Sequence, residues 1–241
     1  MEPQFIEFCK TGNLDEAKEL LRLYPDINIS ELVFRWACEY GRLKIAMWLL
    51  QVKPDIKISS CDDYAFRWAC VNGHLEVAKW LLSVKPDINI SANKEFAFSC
   101  VCAKGDLEVA KWLLHVKPDI NNSAQNEYVF RKVCLSGHLD VAQWLLHVKP
   151  DIDISTYNEF AFRWACYKGH LKVAKWLQSL KPYLYVIEYD KNGNYAGYRI
   201  RSKEEANWEK RKCALHLALQ EKSNLLYHLP IDIAKSVIQF V

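Results

Sequence analysis

The chain has 241 residues, with 32 Lys+Arg against 29 Asp+Glu, a formal charge of +3. Near-neutrality gives no compositional support for a nucleic-acid or anionic-membrane surface, since either needs a larger, clustered basic excess. With 25% charged and 51% hydrophobic residues and no run of 18 apolar ones, the composition is that of a soluble globular chain. Its first ten residues, MEPQFIEFCK, carry two glutamates and no basic start before an apolar stretch. A secretory leader is therefore not expected, and an intracellular, cytoplasmic protein is. Eight glycines, where an average composition of about 7% gives roughly twice as many, argue against an enzyme built on glycine-rich phosphate loops.

In chain order the sequence repeats itself. WLL begins at Trp48, Trp80, Trp112 and Trp144, with WLQ at Trp176, each 32 residues apart. KPDI begins at Lys53, Lys85, Lys117 and Lys149 and becomes KPYL at Lys181. A shared glycine stands at Gly12, Gly41, Gly73, Gly105, Gly137 and Gly169, giving six copies. Seven residues before it lies Phe (Phe5 to Phe162) and three before it Cys (Cys9, Cys38, Cys70, Cys102, Cys134, Cys166). Leu, Ala and Leu follow it at the second, fifth and eighth positions. Leu75, Ala78, Leu81 and Leu82 have the spacing of an amphipathic helix. Phe66, Ala69, Cys70 and Gly73 form a shorter stripe, ended by the glycine a left-handed helix terminus prefers. Each unit is thus helix, tight turn, helix, with a proline loop behind it. Two such short helices cannot bury their stripes alone, so the units must stack.

Phe66 to Leu82, FRWACVNGHLEVAKWLL, resembles the ankyrin run L-H-x-A-A-x-x-G-H-x-E-V-V-x-L-L-L, and KPDIN resembles G-A-D-V-N. The chain is similar to the ankyrin repeats over residues 1 to about 184. The resemblance implies an all-α solenoid of six repeats, at about 1–30, 31–60, 61–92, 93–124, 125–156 and 157–184. In style, FRWAC, GHLEVAKWLL and PDINIS resemble the expanded arrays of giant, mimivirus-like DNA viruses, which would place the protein in a host cell's cytoplasm. Two departures stand out: a period of 32 rather than 33, and Tyr64-Ala65-Phe66-Arg67 in place of Thr-Pro-Leu-His. With the threonine cap gone, Asp62, Asn126 and Asn158 are the expected helix caps.

After Leu184 the register breaks. YVIEYDKNGNYAGYRI alternates around Asp190 to Asn194, predicting a β-hairpin within 185–202. Ser202 to Glu205 has capping-box spacing and opens a helix through about Gln220, within a helical cap at 203–241. Leu215, Leu219 and Trp208 are expected to cover the end of the stack, as a terminal cap must. Leu229, Pro230, Ile231, Asp232 and Ile233, continuing to Ile238 and Phe240, resemble the opening of an F-box, which poxviral ankyrin proteins carry in a similar place. That implies contact with a Skp1-like adaptor through Leu229, Pro230, Ile233, Ile238 and Phe240. An ordinary proline at a helix start is the other reading.

Most chemistry-bearing residues already have a repeat role. The six cysteines of the ladder occupy a small core slot, and a reducing compartment suits all nine. His74, His138 and His170 follow the turn glycine, and rungs of a ladder do not converge on one point as zinc ligands must. No catalytic, cofactor or metal constellation remains, so an enzyme is not expected. A monomeric interaction scaffold for a protein partner is expected instead, with a Skp1-type substrate receptor as the alternative. In the ankyrin pattern the position five before the glycine faces the concave groove. Here it holds Trp36, Trp68, Cys100, Lys132 and Trp164. The slot two before the glycine holds Glu39, Val71, Ala103, Leu135 and Tyr167. Partner binding through Trp36, Trp68, Cys100, Lys132, Trp164 and Tyr167 is one reading, and packing of the tryptophans between repeats is another. The loop tips near Cys61, Asn93, Gln125 and Tyr157 are the other candidate face.

Overall fold

The computed structural model describes residues 1–120 and 123–226, with side chains except at 123–126 and 215–226. The first helices are α1 (Glu2–Thr11), α3 (Glu31–Glu39), α5 (Ser60–Val71), α7 (Ala92–Lys104), α9 (Ser123–Ser136) and α11 (Thr156–Tyr167). The second helices are α2 (Leu14–Leu23), α4 (Leu43–Val52), α6 (Leu75–Val84), α8 (Leu107–Val116), α10 (Leu139–Val148) and α12 (Leu171–Leu180). A hairpin of β1 (Tyr185–Tyr189) and β2 (Tyr195–Ile200) follows, then α13 (Lys203–Leu226). The chain divides into two compact units, Met1–Trp164 and the residues from Ala165 onward. No helix among the described residues is long and apolar enough to cross a membrane.

The turn glycine has a positive φ in every copy, from 73° at Gly41 to 98° at Gly12. At Gly41 a second demand is added, because a Cβ there would stand 2.6 Å from Nδ1 of His74 in the next repeat. The histidine after the glycine therefore packs on its neighbour's turn. Arg42 occupies that place one repeat earlier, and its Nε donates to the Lys10 carbonyl at 2.7 Å, satisfying the end of α1 from outside.

Within Met1–Trp164 the first helices pack against one another in sequence, α1 on α3, α3 on α5, α5 on α7 and α7 on α9. Phe34, Ala37 and Cys38 are buried on α3, and Ile45, Ala46 and Leu49 on α4, and the same positions are buried in the following repeats. The inner stripe of a second helix is thus Val77, Ala78 and Leu81, with Leu75 and Leu82 half-buried at its margins. A ring ladder ties consecutive units. Phe5 meets Trp48 at 6.1 Å, Phe34 meets Trp80 at 6.3 Å, Phe66 meets Trp112 at 6.2 Å and Phe98 meets Trp144 at 6.4 Å. Each pair joins the first helix of one repeat to the second helix of the next, and contributes about 0.5–1.5 kcal/mol beyond its burial. The loop isoleucines complete the core, with Ile27, Ile29, Ile56, Ile88, Ile90 and Ile120 all buried.

The start of the first helices differs from expectation. Cys61 to Asp63, Asn93 to Glu95 and Tyr157 to Glu159 each form a left-handed turn, with φ between 55° and 59°. Asp62 and Asn158 therefore lack the extended backbone of a cap, α5 has no side-chain cap, and the side chain of Asn126 lies outside those described. Left-handed backbone costs a residue with a Cβ about 1–2 kcal/mol, so something must hold it. At the first of these turns it is Arg67, buried, whose Nε donates to the Asp62 carbonyl at 2.6 Å and whose Nη2 donates to that of Cys61 at 2.9 Å. Asp63, also buried, accepts the Asn89 amide at 3.1 Å and ties the turn to the following loop.

In the second unit α12 packs on β1, and Gln178 Nε2 donates to the Tyr185 carbonyl at 3.2 Å. The strands are antiparallel, Tyr185 opposite Ile200. Asp190 Oδ1 closes their turn by accepting the amides of Asn192 and Asn194, each at 2.8 Å. The capping box forms as its spacing predicts. Glu205 N donates to Ser202 Oγ at 3.1 Å, and Ser202 N donates to Glu205 Oε2 at 2.7 Å. Its helix runs six residues beyond Gln220. Trp208, expected to cover an apolar end, is 66% exposed instead, because α13 turns that side to solvent. Leu215 and Leu219 lie outside the described side chains.

Candidate interaction surface

The first helices bury the Phe and the Cys of the register, which leaves residues between them on an open side. Trp36, Trp68, Cys100 and Lys132 are half-buried there, and Trp164 is 36% exposed. The Lys10 ammonium sits 3.9 Å from the centre of the Trp36 ring. Trp68 lies between Tyr64 at 5.7 Å and Phe96 at 5.8 Å, so one indole bridges two repeats. Lys132 stands 5.6 Å over Tyr128, and Trp164 packs on Phe160 at 5.5 Å. Trp68 thus both packs between units and keeps part of its ring in solvent.

Tyr167 falls in the second unit, 72% exposed, with the Lys168 ammonium 5.8 Å over its ring. Of its companions in the slot two before the glycine, Val71 is buried, while Glu39, Ala103 and Leu135 are half-buried. Glu39 accepts a hydrogen bond from the Tyr64 hydroxyl at 2.9 Å, and its carbonyl accepts from Asn72 Nδ2 at 3.0 Å. At the loop tips Cys61 and Asn93 are exposed and Tyr157 is 75% exposed, stacked 4.0 Å from the Arg131 guanidinium. The side chain of Gln125 is outside those described, as are residues Leu229, Pro230, Ile233, Ile238 and Phe240.

Two further stripes run through the register. Nine residues before the glycine stand Tyr64, Phe96, Tyr128 and Phe160, and six before it Arg35, Arg67, Arg131 and Arg163. The arginine of one repeat meets the aromatic ring of the next, Arg35 at 5.1 Å from Tyr64, Arg67 at 5.3 Å from Phe96 and Arg131 at 5.9 Å from Phe160. Ser99 interrupts the series. Both stripes lie at fixed offsets in the 32-residue copies and are visible in the sequence.

The cysteine ladder lies in the core rather than at any site. Burial pushes the Cys9 thiol up to about 12 and raises Cys38, Cys70, Cys102 and Cys134 further. Burial also lifts Cys166 to about 11, against a hydrogen bond with Tyr195 that lowers it. Such thiols are poor nucleophiles at neutral pH. Cys100 is raised as well, burial outweighing the fields of Lys104, Lys132 and Arg67.

Stacked helix-turn-helix units with a buried ladder and an open aromatic and cationic side define the class: a helical repeat protein whose exposed residues change from unit to unit on a constant frame. The family model for ankyrin repeats (many copies) matches residues 34–82, and that for ankyrin repeats (3 copies) matches residues 97–192. Together they cover more than half of the chain, which belongs to the ankyrin-repeat proteins. A comparison with curated proteins gives no match. Ankyrin repeats indicate a protein–protein interaction scaffold.

Proposed function

We propose that the protein is a non-catalytic scaffold that holds a protein partner on the open side of its first helices, with Trp36, Trp68, Cys100, Lys132 and Trp164 as the contact residues and Tyr167 as an exposed aromatic of the second unit. The observation that carries this reading is Trp68, which is fixed by rings of two repeats yet keeps part of its surface in solvent. A rigid, partly exposed tryptophan loses little freedom on binding, and truncating such a residue costs an interface about 2 kcal/mol or more. The test pairs two substitutions. Trp68→Ala is expected to weaken partner binding while the helices persist. Trp80→Ala removes the ring against Phe34 and is expected to cost about 2–3 kcal/mol of stability, less than a fully buried tryptophan because Trp80 is half-buried. Binding lost with Trp80 and kept without Trp68 would move the contact face to the loop tips near Cys61, Asn93, Gln125 and Tyr157.

A second reading rests on the sequence Leu229-Pro230-Ile231-Asp232-Ile233. In it the partner face recruits a substrate and the tail docks a Skp1-like adaptor of a ubiquitin ligase. Co-purification with Skp1 that is lost on Leu229→Ala with Pro230→Ala supports it, and failure to co-purify removes it. A monomer in a host cell's cytoplasm, and an origin among giant DNA viruses, complete the proposal. The buried, unbridged cysteine ladder is at home in a reducing compartment.

A further inference from the structure

Three consecutive repeats of the first unit differ from the two before them, whose corresponding first-helix slots hold Glu7 and Glu39. In the repeats of Gly73, Gly105 and Gly137, the three first-helix slots one, two and five before the glycine hold two lysines, Lys104 and Lys132, and no carboxylate. The carboxylates of those repeats stand at other positions: Asp62, Asp63, Glu95 and Glu127 in the opening turns of the first helices, Asp106 after the turn glycine, Glu76, Glu108 and Asp140 at the start of the second helices, and the rest in the loops. Lys85 and Lys117 are paired with Asp87 and Asp119 at 2.8 and 3.2 Å, and Lys79 with Glu76 at 2.9 Å. Among the described residues Lys104 and Lys132 have no carboxylate partner. Among the described residues Lys104 Nζ donates to Asn72 Oδ1 at 3.0 Å, a neutral acceptor, and Lys132 stands over the Tyr128 ring. Cys100 and Lys132 hold the slot of Trp68 in the next two repeats, on helices that pack in sequence, and Lys104 lies one helical turn beyond Cys100, so both lysines border one patch beside Trp68.

We propose that this patch takes an acidic peptide segment of the partner, aspartate or glutamate side chains pairing with Lys104 and Lys132 while an apolar or aromatic neighbour packs on Trp68. The inference rests on the first-helix face being the contact face. Lys104 is exposed and Lys132 half-buried, so both ammonium groups are open to a partner's carboxylate. The chemistry favours carboxylates over phosphates. The arginine whose fork would grip a phosphate, Arg67, already spends its Nε and Nη2 on the Asp62 and Cys61 carbonyls. Two lysines offer point charges, which a carboxylate on a flexible segment can meet singly.

The test uses the full chain and a random 12-residue peptide library displayed on phage, selected in parallel on the wild type, on Lys104→Glu with Lys132→Glu, and on Trp68→Ala. The wild type is expected to enrich acidic peptides carrying a large apolar residue. The lysine double variant is expected to lose the acidic bias and keep the apolar one, and to bind a wild-type-selected peptide about tenfold more weakly at low salt. That difference should shrink as salt is raised. A neutral or basic wild-type pool, or an acidic bias that survives the lysine substitutions, overturns the charge inference and leaves the contact face standing. A failure to enrich any peptide, or one pool unchanged across all three proteins, overturns the contact face itself. Tighter binding of a fluorescein-labelled dT12 oligonucleotide or of a phosphoserine version of the selected peptide overturns the choice of carboxylate.

Discussion

Arg67→Met tests how the first helices are aimed. The substitution keeps a long apolar stem in a buried place and removes the guanidinium that two carbonyls of the left-handed turn depend on. Hydrogen bonds to a charged group are worth about 1.5–3 kcal/mol each, and the carbonyls of a surface turn recover part of that from water. The stacking on Phe96 adds about 0.5–1 kcal/mol. Together these give an expected loss of about 2–4 kcal/mol, read as a shift in urea midpoint by far-ultraviolet circular dichroism. Arg67→Lys keeps the charge without the planar fork and should recover less than half of the loss. Because Trp68 is the next residue, releasing the turn should also weaken partner binding. A methionine variant within about 0.5 kcal/mol of the wild type, the ordinary range for a surface substitution, would refute the claim that Arg67 holds the turn.

Two further outcomes follow from the packing. Among the nine cysteines, Cys61 and Cys213 should react at once with a thiol reagent in the native protein and Cys100 slowly, while the six ladder thiols respond only on denaturation; rapid labelling of the ladder would contradict its burial. Deleting one full unit, residues 93–124, brings equivalent faces together again and should leave a helical, cooperatively unfolding protein, since stacked repeats depend on nearest neighbours; loss of the circular dichroism signal of helix would contradict that dependence.

The frame was legible because its cause is periodic. A buried Phe, a buried Cys and a left-handed Gly recur at fixed offsets, and each is a position where packing or backbone geometry permits few residues. The hairpin and the capping box were equally legible, since Asp190 and Ser202 act through hydrogen bonds to residues within four positions in the chain. The caps at Asp62 and Asn158 were misread because the favoured cap residue types are also those that tolerate left-handed backbone. What holds that backbone at Asp62 is Arg67, five residues on, and no spacing rule connects the two. Trp208 was misread for a related reason: an apolar side chain suggests burial, but which side of a long helix is covered depends on its neighbours. The face proposed for the partner was half legible. The changing slot of Trp36, Trp68, Cys100 and Lys132 showed where variation lies, while the pairing of one repeat's arginine with the next repeat's ring needed the structure.

Hydrogen exchange of the full chain, with and without a saturating amount of the peptide selected on the wild type, tests the contact face most directly. Exchange is expected to slow in α5, α7 and α9, around Trp68, Cys100 and Lys132, and to remain unchanged in α6, α8 and α10. Slowing confined to the turns at 61–63, 93–95 and 157–159, or to the second helices, would place the partner elsewhere and contradict the function proposed for the first-helix face.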